Sequence, residues 1–143
     1  MNHSQKLKVR AGLIPYFNDN GVIKMLFFIP SDPAYGGDQP QIAKGRVDVR
    51  EDIEGAALRE ASEELGLKLS NVINTKLITK DLLSGMTANN YEFHLFASEV
   101  KSMEDFADYG YETMETKWLT MEEFKIQGRE TQIDLVQKAY NEI

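Results

Sequence analysis

Hydrophobic and polar positions near the start of the chain define two extended segments separated by a turn. Residues 7–17 alternate loosely, whereas residues 22–29 are almost continuously apolar. Short runs of this kind predict β-strands, and the second is typical of a central strand that is buried on both faces. The sequence Asn-Asp-Asn-Gly at 18–21 is a strong turn signal. We therefore predict an N-terminal β-hairpin.

Four more strands and three helices are predicted further along the chain. A loop rich in Pro, Gly, Ser and Asp covers 30–40, and a polar connection covers 101–111. We predict strands at 41–44, within 71–83, at 89–100 and at 113–119, a turn at Ser84-Gly85, and helices at 53–65, 120–127 and 130–143. Thr120 and Glu123 form a capping box at the start of the second helix. Strands on both sides of an acidic helix, with a helix at the end, indicate an α/β sandwich with a mixed sheet.

Apolar residues in two of these elements indicate which faces are buried. In the strand at 89–100, Tyr91 and Phe93 lie on one side at period two, and Phe96 lies on the other. We therefore expect a sheet that is covered on both faces. In the last helix, the amphipathic pattern predicts core contacts from Ile133, Leu135, Val136 and Tyr140.

The helix predicted at 53–65 has a clear signal at each end. Asp52 is suited to cap the first turn, and Gly66 stands where a left-handed cap ends a helix. One face of the helix is aliphatic and can be buried; it carries Leu58, Ala61 and Leu65.

Three glutamates crowd another face of the same helix. Glu60, Glu63 and Glu64 stand at i, i+3 and i+4, so their carboxylates are neighbours. Like charges at this spacing repel, and a hard divalent cation with oxygen ligands would relieve the repulsion. Arg59 lies beside them and could hold one carboxylate in a fixed rotamer. Because acidic runs on helices are usually solvated, the three glutamates alone leave that alternative open.

The wider segment 45–67 carries a longer pattern. It reads Gly, five residues, Glu, seven residues, Arg-Glu, two residues, Glu-Glu, one residue, Gly and an aliphatic residue. The residues in register are Gly45, Glu51, Arg59, Glu60, Glu63, Glu64, Gly66 and Leu67. The segment resembles the Nudix box, which is the signature of the Nudix hydrolases. If the glutamates were only a solvated helix face, there would be no reason for Gly45, Glu51 and Gly66 to match the other positions of this pattern.

The resemblance implies the Nudix fold, an α/β architecture in which a mixed central β-sheet is sandwiched between α-helices. A single Nudix domain would then span residues 1–143. The box would form a loop, a helix and a second loop. The resemblance also implies a bound Mg²⁺ or Mn²⁺ ion, with ligands from Glu60, Glu63, Glu64 and a backbone carbonyl at the Gly45 junction.

Catalytic roles follow from the same resemblance. Glu64, or an acid from the 104–115 region, would take the proton from the attacking water. Arg59 would orient the carboxylates, and Glu51 would brace the loop or reach a metal through water. No fixed spacing ties residues 104–115 to the box, so the sequence leaves open which acid lies at the site. A histidine in a strand, here His94, is more often simply hydrogen-bonded than catalytic.

Three residues near the box are candidates for substrate binding. Lys44 directly precedes Gly45 and could neutralise a phosphate, although a solvated lysine is an equal alternative. Tyr35 in the 30–40 loop could stack on a base, and Tyr91 could do so from its strand. For both tyrosines, packing within the protein is the more common role.

Composition restricts the partners of the chain. The 143 residues carry a net charge of −7, which disfavours binding to nucleic-acid polymers but not to a small anion held through metal ions. The longest apolar run is far too short to span a bilayer, so no membrane partner is expected. The chain has no cysteine, which excludes thiol catalysis and is compatible with the cytoplasmic location we expect. The sequence leaves the oligomeric state open, including a homodimer.

The predicted reaction is metal-dependent hydrolysis of the pyrophosphate link in a nucleoside diphosphate joined to a group X, releasing a mononucleotide. Dinucleoside polyphosphates or ADP-ribose-like molecules are the expected substrates. One alternative is a nucleoside triphosphate pyrophosphohydrolase that sanitises the nucleotide pool. Another is a nucleotide-sensing module without catalysis, although such relatives usually lose box acids and this chain keeps them.

Overall fold

A computed structural model describes residues 8–84 and 90–143, which form one mixed sheet flanked by helices. The strands are β1 (Lys8–Asp19), β2 (Val22–Pro30), β3 (Ala43–Arg46), β4 (Val72–Ser84), β5 (Asn90–Val100) and β6 (Thr113–Leu119). The helices are α1 (Ile53–Leu65), α2 (Met121–Gln127) and α3 (Ile133–Glu142). The strand order is β4-β5-β1-β2-β6, and β3 pairs with β1 as well. Strands β1 and β5 are parallel and the other pairs are antiparallel.

The N-terminal hairpin prediction is confirmed. Strands β1 and β2 pair from Tyr16 opposite Met25 down to the turn. Asn20 and Gly21 both have positive φ, at 54° and 93°, which is the conformation of a tight hairpin turn. The Asn18 carboxamide accepts a hydrogen bond of 2.7 Å from the Gly21 amide and fixes the turn.

Each face of the sheet has its own hydrophobic core, as the aromatic residues on both sides of β5 indicated. Phe96 belongs to the core on the α1 side, together with Ala61 and Leu65 of the helix. Phe93 belongs to the core on the opposite side, where residues of α2 and α3 pack. Because successive strand residues point to opposite faces, one apolar strand can supply both cores.

The last helix differs from the prediction at two points. A 3₁₀ turn covers Glu130–Gln132, and α3 begins only at Ile133. The predicted core contact of Tyr140 is wrong, since this side chain is 39% exposed. Ala139 takes the inward position in the final turn, and Tyr140 is rotated from it by about 100° around the helix axis.

Several boundaries also shift or fall outside the described residues. The strand predicted at 41–44 begins at Ala43, and Gln41 forms an isolated bridge with Phe28 instead. The predicted turn at Ser84-Gly85 lies partly outside the described residues, as do positions 7 and 89. Within residues 8–84 and 90–143, no helix combines the length and the apolar character needed to cross a membrane.

Candidate active site

Arg59 joins helix α1 to the loop that precedes it. Its Nε lies 2.7 Å from Glu51 Oε2 and its Nη2 lies 3.0 Å from Glu51 Oε1, so the pair is held by two hydrogen bonds. Nη2 also donates to the carbonyl of Arg46 at 3.0 Å. Glu51 in turn accepts a bond of 3.3 Å from the Asp48 amide. Of the two roles predicted for Glu51, the structure contains the contacts needed to brace the loop.

The same guanidinium also contacts two of the predicted metal ligands. Arg59 Nη1 lies 2.9 Å from Glu60 Oε2 and 3.3 Å from Glu63 Oε1. In the described part of the chain, no three acidic or histidine side chains converge closely enough to hold a metal ion. The Glu63 side chain is 51% exposed and can rotate away from Arg59, whereas the Glu60 side chain is only 13% exposed.

Glu60 reaches its position because residue 45 has no side chain. A Cβ atom at Gly45 would lie 2.2 Å from Oε2 of Glu60 and 2.5 Å from Oε1. Contacts under 3.0 Å are essentially never seen for a Cβ atom, so any larger residue would displace the carboxylate. The first glycine of the box is therefore required for the close approach of a helix carboxylate to strand β3.

Glu64 is a partly buried carboxylate that contacts the backbone of strand β3. Its Oε1 accepts a hydrogen bond of 3.0 Å from the Lys44 amide. Burial, followed by repulsion from Glu60, raises the pKa of Glu64 to about 8. Burial also raises the pKa of Glu60, with a further contribution from Glu63. A carboxylate set that is costly to ionise fits a hard divalent cation, because the cation offsets the repulsion through oxygen donors.

The connection between β5 and β6 covers the end of α1. The Ala107 amide donates to the Gly66 carbonyl at 2.7 Å, and the Gly110 amide donates to the Glu63 carbonyl at 2.8 Å. The Thr113 hydroxyl donates to the Glu64 carbonyl at 2.8 Å. Gly66 has φ 75° and packs directly against the Ala107 carbonyl, where a Cβ atom would not fit. The last glycine of the box is therefore required both to end α1 and to admit this connection.

This packing brings one acid of the 104–115 region, Glu112, towards the carboxylates of the box. Glu112 contributes to the raised pKa of both Glu60 and Glu64, so its charge faces theirs. Among the other acids of the 104–115 region, Asp105 lies 2.8 Å from the ammonium group of Lys68. No sequence pattern marks Glu112, because its position depends on how the connection folds over α1.

A cleft of about 730 Å³ opens beside these carboxylates. Glu64 and Glu112 border it, and so do the three residues predicted to bind substrate, Lys44, Tyr35 and Tyr91. The cleft is also bordered by further cations and aromatic residues that the sequence analysis did not single out, namely Lys8, Arg10, Arg129, Phe28 and Tyr111. One cavity therefore joins acidic, basic and aromatic groups.

The basic groups of the cleft lie close to one another. The Lys44 ammonium lies 5.9 Å from the centroid of the Tyr91 ring, and the Arg10 guanidinium carbon lies 5.2 Å from the same centroid. Burial, together with the charges of Arg10 and Arg129, lowers the pKa of Lys44 to about 8. The Tyr91 ring is thus already engaged with cations in this conformation.

Two other tyrosines are more accessible to a ligand. Tyr35 is 69% exposed and Tyr111 is 92% exposed. Their loops are joined, since the Ser31 amide donates to the Glu112 carbonyl and the Ser31 hydroxyl donates to the Tyr111 carbonyl, both at 2.9 Å. His94 does not border the cleft; its Nε2 lies 2.7 Å from Oε1 of Glu92.

Comparison with known families identifies the chain. The model of the NUDIX domain matches residues 6–139. The chain belongs to the Nudix family. The predicted resemblance and the predicted Nudix fold are therefore both confirmed. No curated protein sequence matches the chain.

Solved structures with the Nudix fold are similar over nearly the whole chain. A Caenorhabditis elegans Ap4A hydrolase in a binary complex is 21% identical with a TM-score of 0.76, covering 94% of this chain and 96% of its own. The NUDIX domain of Shewanella oneidensis NrtR, complexed with ADP ribose, is 10% identical with a TM-score of 0.79, covering 99% and 93%. A NUDIX hydrolase from Nitrosomonas europaea is 15% identical with a TM-score of 0.74, covering 96% and 90%. These structures share the fold, and the family match supports the prediction of a pyrophosphohydrolase enzyme.

Proposed function

We propose that this Nudix protein hydrolyses the pyrophosphate link of a nucleoside diphosphate joined to a second group. The observation that carries the proposal is the single cleft that Glu64, Glu112 and Lys44 all border. A polyphosphate needs positive charge along its length and an oxygen nucleophile at one phosphorus. The basic side chains, and cations held by the acids, supply the positive charge. The acids can also take a proton from a water molecule, which then acts as the nucleophile.

A divalent cation, Mg²⁺ or Mn²⁺, is the cofactor that fits the carboxylates. We assign its ligands to Glu60, Glu63 and Glu64 with the carbonyl of Gly45, and Glu63 must leave Arg59 to take part. When bound, such an ion neutralises phosphate charge and lowers the pKa of a water molecule. The raised pKa of Glu64 and of Glu60 supports this assignment, since burial and repulsion between neighbouring glutamates make both carboxylates costly to ionise without a cation.

The remaining site residues position groups or move a proton. We propose that Glu64 or Glu112 accepts the proton of the attacking water, because both border the cleft. Arg59 holds Glu60 in place, and Glu51 fixes Arg59 through their two hydrogen bonds. The water attacks one phosphorus and the phosphoanhydride bond breaks, so the products are a mononucleotide and phospho-X without a covalent enzyme intermediate.

Dinucleoside polyphosphates and ADP-ribose-like dinucleotides are the substrates we favour. We propose that Lys44 binds a phosphate, that Tyr35 stacks on a base, and that Tyr91 acts chiefly by supporting the cations above its ring. The similarity to structures of an Ap4A hydrolase and of an ADP ribose complex agrees with this choice.

A substrate panel tests the proposal. The protein is incubated with Mg²⁺ or Mn²⁺ and diadenosine tetraphosphate, ADP-ribose, NADH or a nucleoside triphosphate, and the products are separated by chromatography. Mononucleotide from a dinucleotide is the expected product. Pyrophosphate from triphosphates alone would replace the proposal with the triphosphate pyrophosphohydrolase. Binding measured by calorimetry without turnover of any compound would favour a nucleotide sensor instead.

A further inference from the structure

Arg129 lies between α2 and α3, far from the Nudix box in sequence, yet its guanidinium is fixed at the cleft. Its amide donates to the Pro40 carbonyl at 2.9 Å, and its Nη1 donates to Gln41 Oε1 at 2.9 Å. A Cβ atom at Gly36 would lie 2.6 Å from Arg129 Nη1 and 2.4 Å from Gln41 Oε1. The loop between β2 and β3 therefore holds this arginine in a single orientation.

Gln41 is an unusual partner for this arginine because it is almost completely buried. The residue is 2% exposed and borders the cleft. Its Nε2 is buried and has no hydrogen-bond partner within residues 8–84 and 90–143. A buried donor without a partner costs stability. The same side chain places its Oε1 against Arg129, so Gln41 fixes the arginine even though its own Nε2 stays unpaired.

Positive charge accumulates around the same place. Arg10, Lys44 and Arg129 all border the cleft, and the charges of both arginines reach Lys44. Across the described residues, the ion pairs within 4.0 Å involve none of these three cations. Three neighbouring cations without an ion-pair partner among the described residues, in a chain of net charge −7, form a local site for an anion.

We propose that Arg129, positioned by Gln41, forms with Arg10 and Lys44 a subsite for phosphate groups that are not attacked. The inference rests on the proposed function, in which the carboxylates take the phosphates that react. A diphosphate such as ADP-ribose is bound mainly at the carboxylates. A tetraphosphate extends beyond them, and its extra phosphates reach Arg129. The enzyme therefore selects substrates with longer phosphate chains.

Kinetics with two substrates test the selection. In Arg129→Ala, KM for diadenosine tetraphosphate should rise about tenfold or more, the usual scale for losing a charge-assisted hydrogen bond. The KM for ADP-ribose should change much less, so that the ratio of kcat/KM between the two substrates falls. The exposed Arg50 gives a matched control, since Arg50→Ala removes the same charge away from the cleft. An equal loss on both substrates would overturn the subsite.

Variants of Gln41 test the positioning role. Gln41→Glu keeps an acceptor for Arg129 but adds a negative charge, whereas Gln41→Met removes the acceptor without adding charge. Both should raise KM for the tetraphosphate while kcat falls less, and Gln41→Glu should have the larger effect. The positioning role would be contradicted if both variants lost only kcat. It would also be contradicted if neither variant raised KM for the tetraphosphate more than KM for ADP-ribose. Thermal melting of each variant shows that the fold is intact.

Binding without turnover separates this proposal from the proposed function. Inorganic tripolyphosphate is titrated into the protein by calorimetry with EDTA present, so that no divalent cation takes part. The wild-type protein and Arg50→Ala should bind it, and Arg129→Ala should bind about tenfold more weakly. If this difference in binding is found but no nucleotide is turned over, the subsite is supported and the proposed hydrolase is rejected. Equal binding by Arg129→Ala would reject the subsite, even if the protein cleaves dinucleotides.

Discussion

Replacing Gly45 by alanine would test whether the box glycine serves to place Glu60. The added methyl carbon would lie 2.2 Å from Oε2 of Glu60 and 2.5 Å from Oε1. The carboxylate must therefore move by about 1 Å, which also breaks its 2.9 Å contact with Arg59. Gly45 is not among the glycines with positive φ, and alanine keeps the backbone carbonyl assigned to the metal.

The expected effect is large on catalysis and small on stability. Misplacing a catalytic group by about 1 Å can lower the rate about 100-fold. The crowded atoms are the end of a flexible side chain, so the free energy of unfolding should change by only about 1 kcal/mol. We therefore expect kcat in Gly45→Ala to fall about 100-fold while the melting temperature shifts by a few degrees.

A double-mutant cycle with Glu60→Gln gives the decisive assay. Turnover of diadenosine tetraphosphate is measured for the wild type, for each single variant and for the pair. If Gly45 acts through Glu60, adding Gly45→Ala to Glu60→Gln should cause little further loss. Fully additive losses, or a wild-type kcat in Gly45→Ala, would refute the reasoning.

Three further predictions concern other groups at the cleft. Glu112→Gln should lower kcat at least tenfold, because the charge of Glu112 faces Glu64. The control variant Glu115→Gln, on the neighbouring strand, should leave kcat unchanged. Equal kcat values for the two variants in steady-state assays would contradict this prediction. Without metal, the free energy of unfolding should fall as pH rises from about 5 to 8. The reason is that Glu64 has a pKa of about 8 in the folded protein and keeps its proton over this range, whereas in the unfolded chain it releases the proton near pH 4.5. Melting curves should therefore show Mg²⁺ stabilising the protein more at about pH 8.5 than at about pH 6, and an equal stabilisation would contradict the assignment. Tyr35→Ala should raise KM about tenfold, because stacking on a base is lost. Tyr140→Ala, which removes an exposed tyrosine on α3, should leave KM unchanged. Equal KM values for the two variants would contradict the stacking.

Local signals were sufficient to predict most of the fold. Asp52 does accept the capping hydrogen bond from the Gly55 amide, and Gly66 does end α1 with a left-handed φ. The capping box of Thr120 and Glu123 is also confirmed. These features depend on neighbours within a few residues, so the sequence carries them directly. Tyr140 was misjudged because the helix pattern alone does not decide whether Ala139 or Tyr140 faces the core; that depends on packing against the rest of the fold.

The candidate site was only partly predictable, for the same reason. The box residues share one helix and one loop, so their spacing predicts that they meet. Glu112 and Arg129 come from connections whose course depends on packing against α1 and against Gln41. Neither residue has a spacing signal, and only the folded chain brings them to the cleft.

The most direct test of the central claim compares the wild type with Glu64→Gln. Mononucleotide release from diadenosine tetraphosphate is followed with Mg²⁺ and with EDTA. Glutamine keeps an acceptor for the Lys44 amide and removes a charge that is costly to bury, so the variant should stay folded. We predict metal-dependent release by the wild type and a rate at least ~100-fold lower in the variant. Near-normal turnover in Glu64→Gln, or release by the wild type that persists in EDTA, would contradict the account.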